Sequence, residues 1–293
     1  MGIIVVTGSA SGMGAAAAAQ LRADGHQVVG VDRRDAEIIA DLSSAEGRVL
    51  AAEQALARAG GRLDGAVLAA GLGPSPGLEQ ARSILEVNYA GVVDLLGAWR
   101  PALAAADGAK VVVFGSNSTT TAPLVPRALV RALLAGDLER AFRVARRRRR
   151  FAPVFAYAGS KLAVTRWVRR SATTDDWAGA GIRLNAIAPG AVATPLLARQ
   201  LETPAERAQI EAFPLPVGRY GDPAEIARWV SLMCSDAANS LCGSVVVVDG
   251  GSEAYFRADD WPRSVPLRAL AGYLRRSRQW RKRAAPGPDT AAR

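Results

Sequence analysis

Residues Ile3 to Val6 form an unbroken β-branched apolar run. The chain then turns at once, through Thr7-Gly8-Ser9-Ala10-Ser11-Gly12-Met13-Gly14, into the helix-forming stretch Ala15–Leu21. A strand with no polar face has nothing to offer water, so it belongs inside a parallel sheet covered by helices on both sides. The rest of the chain continues the alternation. Strands are expected at Val28–Val31, Ile38–Asp41, Ala66–Ala69, Val111–Phe114, Ile182–Ile187 and Val245–Val248, and helices at Ser44–Ala59, Ile84–Ala105, Ala156–Thr173 and Pro223–Met233. This pattern predicts an α/β fold, a single doubly wound parallel sheet (Rossmann-type) with helices on both faces, over about residues 1–256. A helical insertion at about 119–150 and a basic C-terminal extension over 257–293 are expected as appendages.

Hydrophobic residues make up 49% of the 293 and charged residues 22%, enough apolar surface for a core. No apolar stretch reaches the roughly 18–20 residues of a membrane span. Met1–Thr7 leads straight into Gly8 without a basic region, so no signal peptide is expected. Cys234 and Cys242 have no metal or redox spacing, which excludes a disulfide scaffold and fits a reducing cytoplasm. No metal site is expected, and His26, the sole histidine, is read as a surface residue.

The net charge of +10 is unevenly spread. Nine arginines face only Asp137 and Glu139 between Thr119 and Arg150, and ten Arg or Lys face three Asp from Arg257 onward. Each segment therefore carries +7 and the remainder −4. In the insertion, two helices are expected at Arg127–Leu134 and Asp137–Arg150, with Asp137 as N-cap and Leu138, Ala141, Phe142 and Ala145 on the apolar side. It reads as a lid, an altered oligomer interface or a solvated face. In the tail, Leu267, Leu270, Leu274 and Trp280 alternate with basic residues. Three readings stay open there: a segment on an anionic membrane, a nucleic-acid contact, or a helix packed on its own domain with a disordered end past Pro286.

Gly8, Gly12 and Gly14 occupy a turn where glycine lets backbone approach a pyrophosphate at a helix N-terminus. Asp32, ending the second strand, can accept both ribose hydroxyls of NAD and would repel a 2′-phosphate, whereas Arg33 and Arg34 could attract one. NAD is the expected cofactor. Tyr157 and Lys161 stand four apart in Tyr157-Ala158-Gly159-Ser160-Lys161, on one helix face, where an ammonium can lower a phenol pKa for acid/base work. Lys161 is one of only three lysines.

With these motifs in order, the first 256 residues or so resemble the short-chain dehydrogenase/reductase family. The matches are the turn Thr7 to Gly14, the Tyr157/Lys161 pair, Ser116 in Val113-Phe114-Gly115-Ser116 and Asn88 in Val87-Asn88-Tyr89. They continue through Asp41-Leu42, Asn185-Ala186-Ile187-Ala188-Pro189-Gly190 with Thr194-Pro195, Arg219-Tyr220-Gly221-Asp222-Pro223 and Val248-Asp249-Gly250-Gly251. The family's Asn-Asn-Ala-Gly is replaced here by Ala69-Ala70-Gly71, and the insertion stands where a short loop is usual. Those features are similar to the bacterial NAD-dependent 3α-hydroxysteroid dehydrogenase/carbonyl reductase branch.

The resemblance implies an oxidoreductase that interconverts a secondary alcohol and a ketone, with a bulky alicyclic or steroid-like substrate. It implies Asn88, Ser116, Tyr157 and Lys161 as the catalytic set, with Ser118 as an alternative to Ser116. Tyr157 would be the acid/base, Ser116 the carbonyl stabiliser and Lys161 the activator and ribose ligand, while Asn88 would hold a water. Cofactor contacts are implied for Gly8, Ser11, Gly12, Met13, Gly14, Asp32, Asp41, Leu42, Ala70, Gly71, Tyr157, Lys161, Pro189, Gly190, Val192 and Thr194. A homo-oligomer, dimer or tetramer, is implied, with no specific nucleic acid. The loop Leu196–Val217, with Phe213, is read as a flexible cover over an apolar substrate. The competing class is a non-catalytic nucleotide-binding module that associates with a membrane or another partner through its basic appendages.

Overall fold

The computed structural model describes residues 2–106, 108–260 and 264–284. Seven parallel strands lie in the order β3-β2-β1-β4-β5-β6-β7. They are β1 (Ile3–Thr7), β2 (Gln27–Asp32), β3 (Ile38–Ile39), β4 (Gly65–Leu68), β5 (Lys110–Phe114), β6 (Arg183–Pro189) and β7 (Val245–Val248). The order reverses at β1, and β1 pairs with β2 on one side and β4 on the other. A crevice opens at such a reversal, beyond the carboxyl ends of the strands. The central strands β4 and β5 are buried throughout, as their uninterrupted apolar sequences require.

Helices cover both faces. On one, α1 (Gly12–Ala23) packs against α11 (Pro223–Cys234) over Ile4, Val6, Val67, Val112 and Ile187. The opposite face carries α2 (Ala45–Arg58), α3 (Leu78–Leu85), α4 (Gly91–Ala104) and α8 (Ala152–Ser171), around a larger core that includes Trp99 and Leu103. Arg48 is buried among these helices, where its guanidinium meets Glu86 at 3.0 Å, Asp94 at 2.8 Å and the Leu42 carbonyl at 3.1 Å.

Two helical expectations need correction. The single helix read from Ile84 to Ala105 begins earlier, after Gly77 at φ 120°, and it widens into a π turn over Glu86–Ala90 before α4 resumes. The extra residue of a π turn shifts helical phase, which breaks the apolar periodicity that sequence reading follows. Leu196–Val217 is not an open loop. It forms α9 (Pro195–Glu202) and α10 (Pro204–Glu211), each started by a proline, and then a turn in which Phe213 lies 5.4 Å from Phe256.

The insertion holds α5 (Ser118–Thr121), α6 (Arg127–Leu134) and α7 (Leu138–Arg146). Asp137 caps α7 by accepting from the Arg140 amide at 2.8 Å. Leu129 and Leu133 of α6 are fully buried, and Leu129 fits onto α8 at Gly159, where a Cβ would overlap its Cδ2. Arg82 of α3 holds α7 by pairing with Glu139 at 2.5 Å and lying 4.3 Å over the Phe142 ring. Arg148 and Arg150 rest over Phe155 and Phe151. A short helix α12 (Ser252–Phe256) ends this unit.

A second compact unit begins at Arg257. Its described part contains a 3-10 turn, Leu267–Ala269, and one helix, α13 (Leu270–Ala284). Pro286 and the residues that follow lie outside the described residues. Among the described residues no helix is long and apolar enough to cross a membrane.

Candidate active site

The crevice at the β1/β4 reversal is a cleft of about 580 Å³. Of the residues read from the sequence, Gly8, Ser11, Gly12, Met13, Gly14, Asp32, Asp41, Leu42, Ala70, Gly71 and Thr194 line it. Gly8 and Gly12 have φ of 71° and 55°, a region that disfavours any side chain. Gly14 is needed for a different reason: a Cβ there would lie 2.7 Å from the Gly8 carbonyl carbon. Ser11 is the N-cap of α1 but makes no side-chain cap, so the first-turn amides face the cleft without a side-chain acceptor. This glycine-walled, amide-lined cradle fits a pyrophosphate.

Asp32 is held by two backbone amides. Its carboxylate accepts from Ala10 at 3.0 Å and from Arg33 at 2.7 Å, which fixes it at the rim of the cleft. Arg33 lines the cleft beside it, whereas Arg34 lies 4.0 Å from Asp35. Asp41 accepts from the Ser43 amide at 2.9 Å, and that bond, with the Arg33 charge, holds its carboxyl below the usual range. Pro189, Gly190 and Val192 are not among the lining residues. Gly190 backs onto Asp249, and Val192 is buried in a bridge to Gly221.

The carboxyl ends of β4 and β5 and the first half of α8 bring the remaining groups together. Lys161 is buried and donates to the Phe114 carbonyl at 2.8 Å. The Ser116 hydroxyl hydrogen-bonds the Tyr157 phenol and accepts from the Ser118 amide at 3.1 Å. The Ser118 hydroxyl is buried and makes no hydrogen bond. Burial pushes the Tyr157 pKa up, and the Ser116 hydroxyl draws it down. The sequence reading had Lys161 supply that lowering. Here its ammonium faces a carbonyl, and burial lowers its own pKa to about 8. A Cβ on Gly71 would lie 3.5 Å from Lys161 Nζ and 3.4 Å from Asn88 Oδ1, so these two side chains stand behind one wall of the cleft.

Asn88 sits in the π turn, and its side-chain amide bonds both backbone groups of Leu72. It accepts from the Leu72 amide at 2.8 Å and donates to the Leu72 carbonyl at 3.0 Å. With Ala70 bonded to Thr7 Oγ1 at 3.1 Å, these bonds hold the loop after β4 without asparagines at positions 68 and 69. Sequence reading missed the other wall of the cleft. Leu196, Arg199 and Gln200 of α9 face Gly73, Ser75, Pro76 and Gln80. Thr194-Pro195, an N-cap followed by proline, was the signal for a helix there. No residue of the 119–150 insertion lines the cleft.

Lys161 gives a stability test. Its pKa falls from 10.5 to about 8 on folding. Below pH 8 the folded and unfolded chains are both protonated and the folded state bears the full cost of a buried charge. As pH rises from 8 towards 10.5 the folded protein sheds its proton first, and that cost is withdrawn. Lys161→Met is expected to stabilise the protein at pH 7 by about 1–3 kcal/mol, the lost bond to Phe114 offsetting part of the gain. The gain should shrink by pH 10. Denaturant unfolding at both values checks it, and equal destabilisation at both would contradict it.

A family model described as short chain dehydrogenase matches residues 2–125, and one described as Enoyl-(Acyl carrier protein) reductase matches 142–253. The chain is 42% identical to the 3-alpha-hydroxysteroid dehydrogenase/carbonyl reductase of Comamonas testosteroni, over 88% of this chain and 98% of that one. It is 31% identical to a galactitol 2-dehydrogenase (L-tagatose-forming) of Cereibacter sphaeroides, over 84% and 92%. Among solved structures, the 3-alpha-hydroxysteroid dehydrogenase from Pseudomonas sp. B-0831 complexed with NADH is 41% identical and superposes with a TM-score of 0.82, over 88% of this chain and 99% of that one. Fold, motif order and relatives agree, and the chain belongs to the short-chain dehydrogenase/reductase family.

Proposed function

We propose that the protein is an NAD(H)-dependent oxidoreductase that interconverts a secondary alcohol and a ketone on a bulky alicyclic or steroid-like substrate. The observation that carries this reading is that Ser116 hydrogen-bonds Tyr157, one helical turn before Lys161, and that Lys161 stands behind Gly71 in the wall of the glycine-lined cleft. A scaffold that only bound nucleotide would have no use for that set. Bound NAD(H) supplies or accepts the hydride. Gly8, Gly12 and Gly14 with the α1 amides would hold its pyrophosphate, and Asp32 its ribose hydroxyls. Tyr157, kept protonated by burial, gives its proton to the carbonyl oxygen in reduction and takes one from the hydroxyl in oxidation. Ser116 donates to the same oxygen as charge develops on it, its lone pair being occupied by the Ser118 amide. Lys161, released from Phe114, would bind ribose and lower the phenol pKa.

Self-association as a homo-oligomer belongs to this reading. It is supported by the apolar Trp229, Leu232 and Val247, which stand 41%, 46% and 41% exposed on α11 and the edge strand β7. Two unpaired cysteines agree with a reducing cytoplasm.

Nicotinamide absorbance with purified protein and a panel of alicyclic ketones and alcohols tests the activity. Substrate-dependent change with steroid-like ketones is expected. Silence across the panel from a folded protein would leave only the nucleotide-binding module. A second expectation concerns selectivity: wild type favours NADH, and Asp32→Ser raises the ratio of kcat/KM for NADPH over NADH by about tenfold or more, because Arg33 then meets a 2′-phosphate unopposed. A wild type that favours NADPH would contradict the role given to Asp32.

A further inference from the structure

The residues after Phe256 form a unit of their own, and their chemistry is of one kind. Between Ser264 and Ala284 there are seven Arg or Lys and no Asp or Glu. Within α13, Leu270, Tyr273, Leu274 and Trp280 recur at the i, i+3, i+4 and i+10 spacing of one helix face. They stand 45%, 51%, 45% and 64% exposed, and Leu267 just before them is 89% exposed. Arg275 falls on the other side, Arg276 and Arg278 flank the apolar face, and Ser277 and Arg281 fall within it. A water-exposed stripe of Leu, Tyr and Trp is costly unless something covers it, and a cation-only segment selects an anionic cover.

We propose that α13 is a membrane-surface helix: it lies in the headgroup region of an anionic bilayer, with Leu270, Tyr273, Leu274 and Trp280 below and the arginines against lipid phosphate and carboxylate. Three features favour a bilayer over a nucleic acid. Phosphate contacts on a duplex need the cations but leave four large apolar side chains without a partner. Tyr and Trp are the side chains that combine an apolar body with a polar edge, which suits the depth of a headgroup. The 15-residue helix is too short and too charged to span, so it lies flat.

Co-sedimentation of the full chain with vesicles of phosphatidylcholine and phosphatidylserine, roughly 2:1, against phosphatidylcholine alone, tests this. Binding to the anionic vesicles is expected, with binding to the neutral ones at least about tenfold weaker and suppression in about 1 M NaCl. Arg275→Gln/Arg276→Gln/Arg278→Gln should weaken partition by about a hundredfold, each charge being worth about fivefold. Tyr273→Ser/Leu274→Ser/Trp280→Ser keeps every charge and should still lose about tenfold or more. Should that variant not fold by its thermal unfolding transition, Trp280→Ser alone is expected to lose severalfold. The proposal is overturned by three results: no binding to anionic vesicles, equal binding to both kinds, or apolar-face variants that bind like wild type. The last would assign the attraction to charge alone, including the run Arg146–Arg150. A duplex oligonucleotide bound more tightly than the anionic vesicles, with no loss in the apolar-face variants, would overturn it in favour of nucleic acid.

Discussion

Tyr157→Phe is expected to lower kcat by about 10³-fold while NADH binds as in wild type. The substitution removes one oxygen and keeps the ring, so the half-buried packing of Tyr157 survives. What is lost is the acidic proton of the phenol, together with its hydrogen bond to Ser116. Ser116 cannot take over, because an aliphatic hydroxyl is a far weaker acid than a phenol and its remaining role is to steady the developing charge. NADH should be insensitive to the change, since the glycines, Asp32 and Asp41 that line the cleft are untouched. Fluorescence titration with NADH and a single-turnover assay separate binding from chemistry. Turnover within tenfold of wild type would remove Tyr157 from the mechanism.

Gly14→Val carries the second large effect. Its Cβ would lie 2.7 Å from the Gly8 carbonyl carbon and closer still to that carbonyl oxygen. Neither atom can retreat, because the Gly8 amide is fixed to the Val31 carbonyl at 2.8 Å and β1 is paired on both sides. The turn must therefore open or α1 must tilt, and either movement takes the first-turn amides out of register with a pyrophosphate. NADH binding should weaken by at least about a hundredfold, with a loss of about 1–3 kcal/mol in stability from overpacking. Gly97→Ala is the control: nothing stands within 4 Å of its added carbon, and a helical Gly-to-Ala change is expected to be neutral or stabilising. Equal NADH affinity in Gly14→Val and wild type would show that the cradle does not hold the phosphates.

What could be read without coordinates was what composition determines locally. Apolar runs such as Val111–Val113 can only be buried strands, and the turn from Thr7 to Gly14 can only be a close backbone approach. Tyr157 and Lys161 stood out by their helical spacing, whereas Ser116 and Asn88 came only from the resemblance to the family. Less legible were features that arise from non-local contact. Asn88 bonds both backbone groups of Leu72, sixteen residues away, from a π turn, and a π turn leaves no compositional trace. Nothing in the sequence sets Arg48 apart from the other helical arginines. Its burial depends on Glu86 and Asp94, about forty residues on. Lys161 was read as the partner of Tyr157, yet burial beside the Phe114 carbonyl dominates its electrostatics.

Leu129 seated on Gly159 ties the insertion to the catalytic helix in a way that bears on how such a chain can change over time. Two of the three residues between Tyr157 and Lys161 are then under separate constraints: Ser160 bonds back to the Tyr157 carbonyl at 2.8 Å, and Gly159 must stay bare for as long as Leu129 is there. Losing the insertion would uncover Gly159 and leave a bare notch on α8, while gaining a side chain at 159 first would expel Leu129. Neither single step preserves the packing, so the two sites are expected to be inherited as a block. Grafting α6 and α7 onto a relative with a larger residue at that position would fail for the same steric reason, however well the loop ends matched.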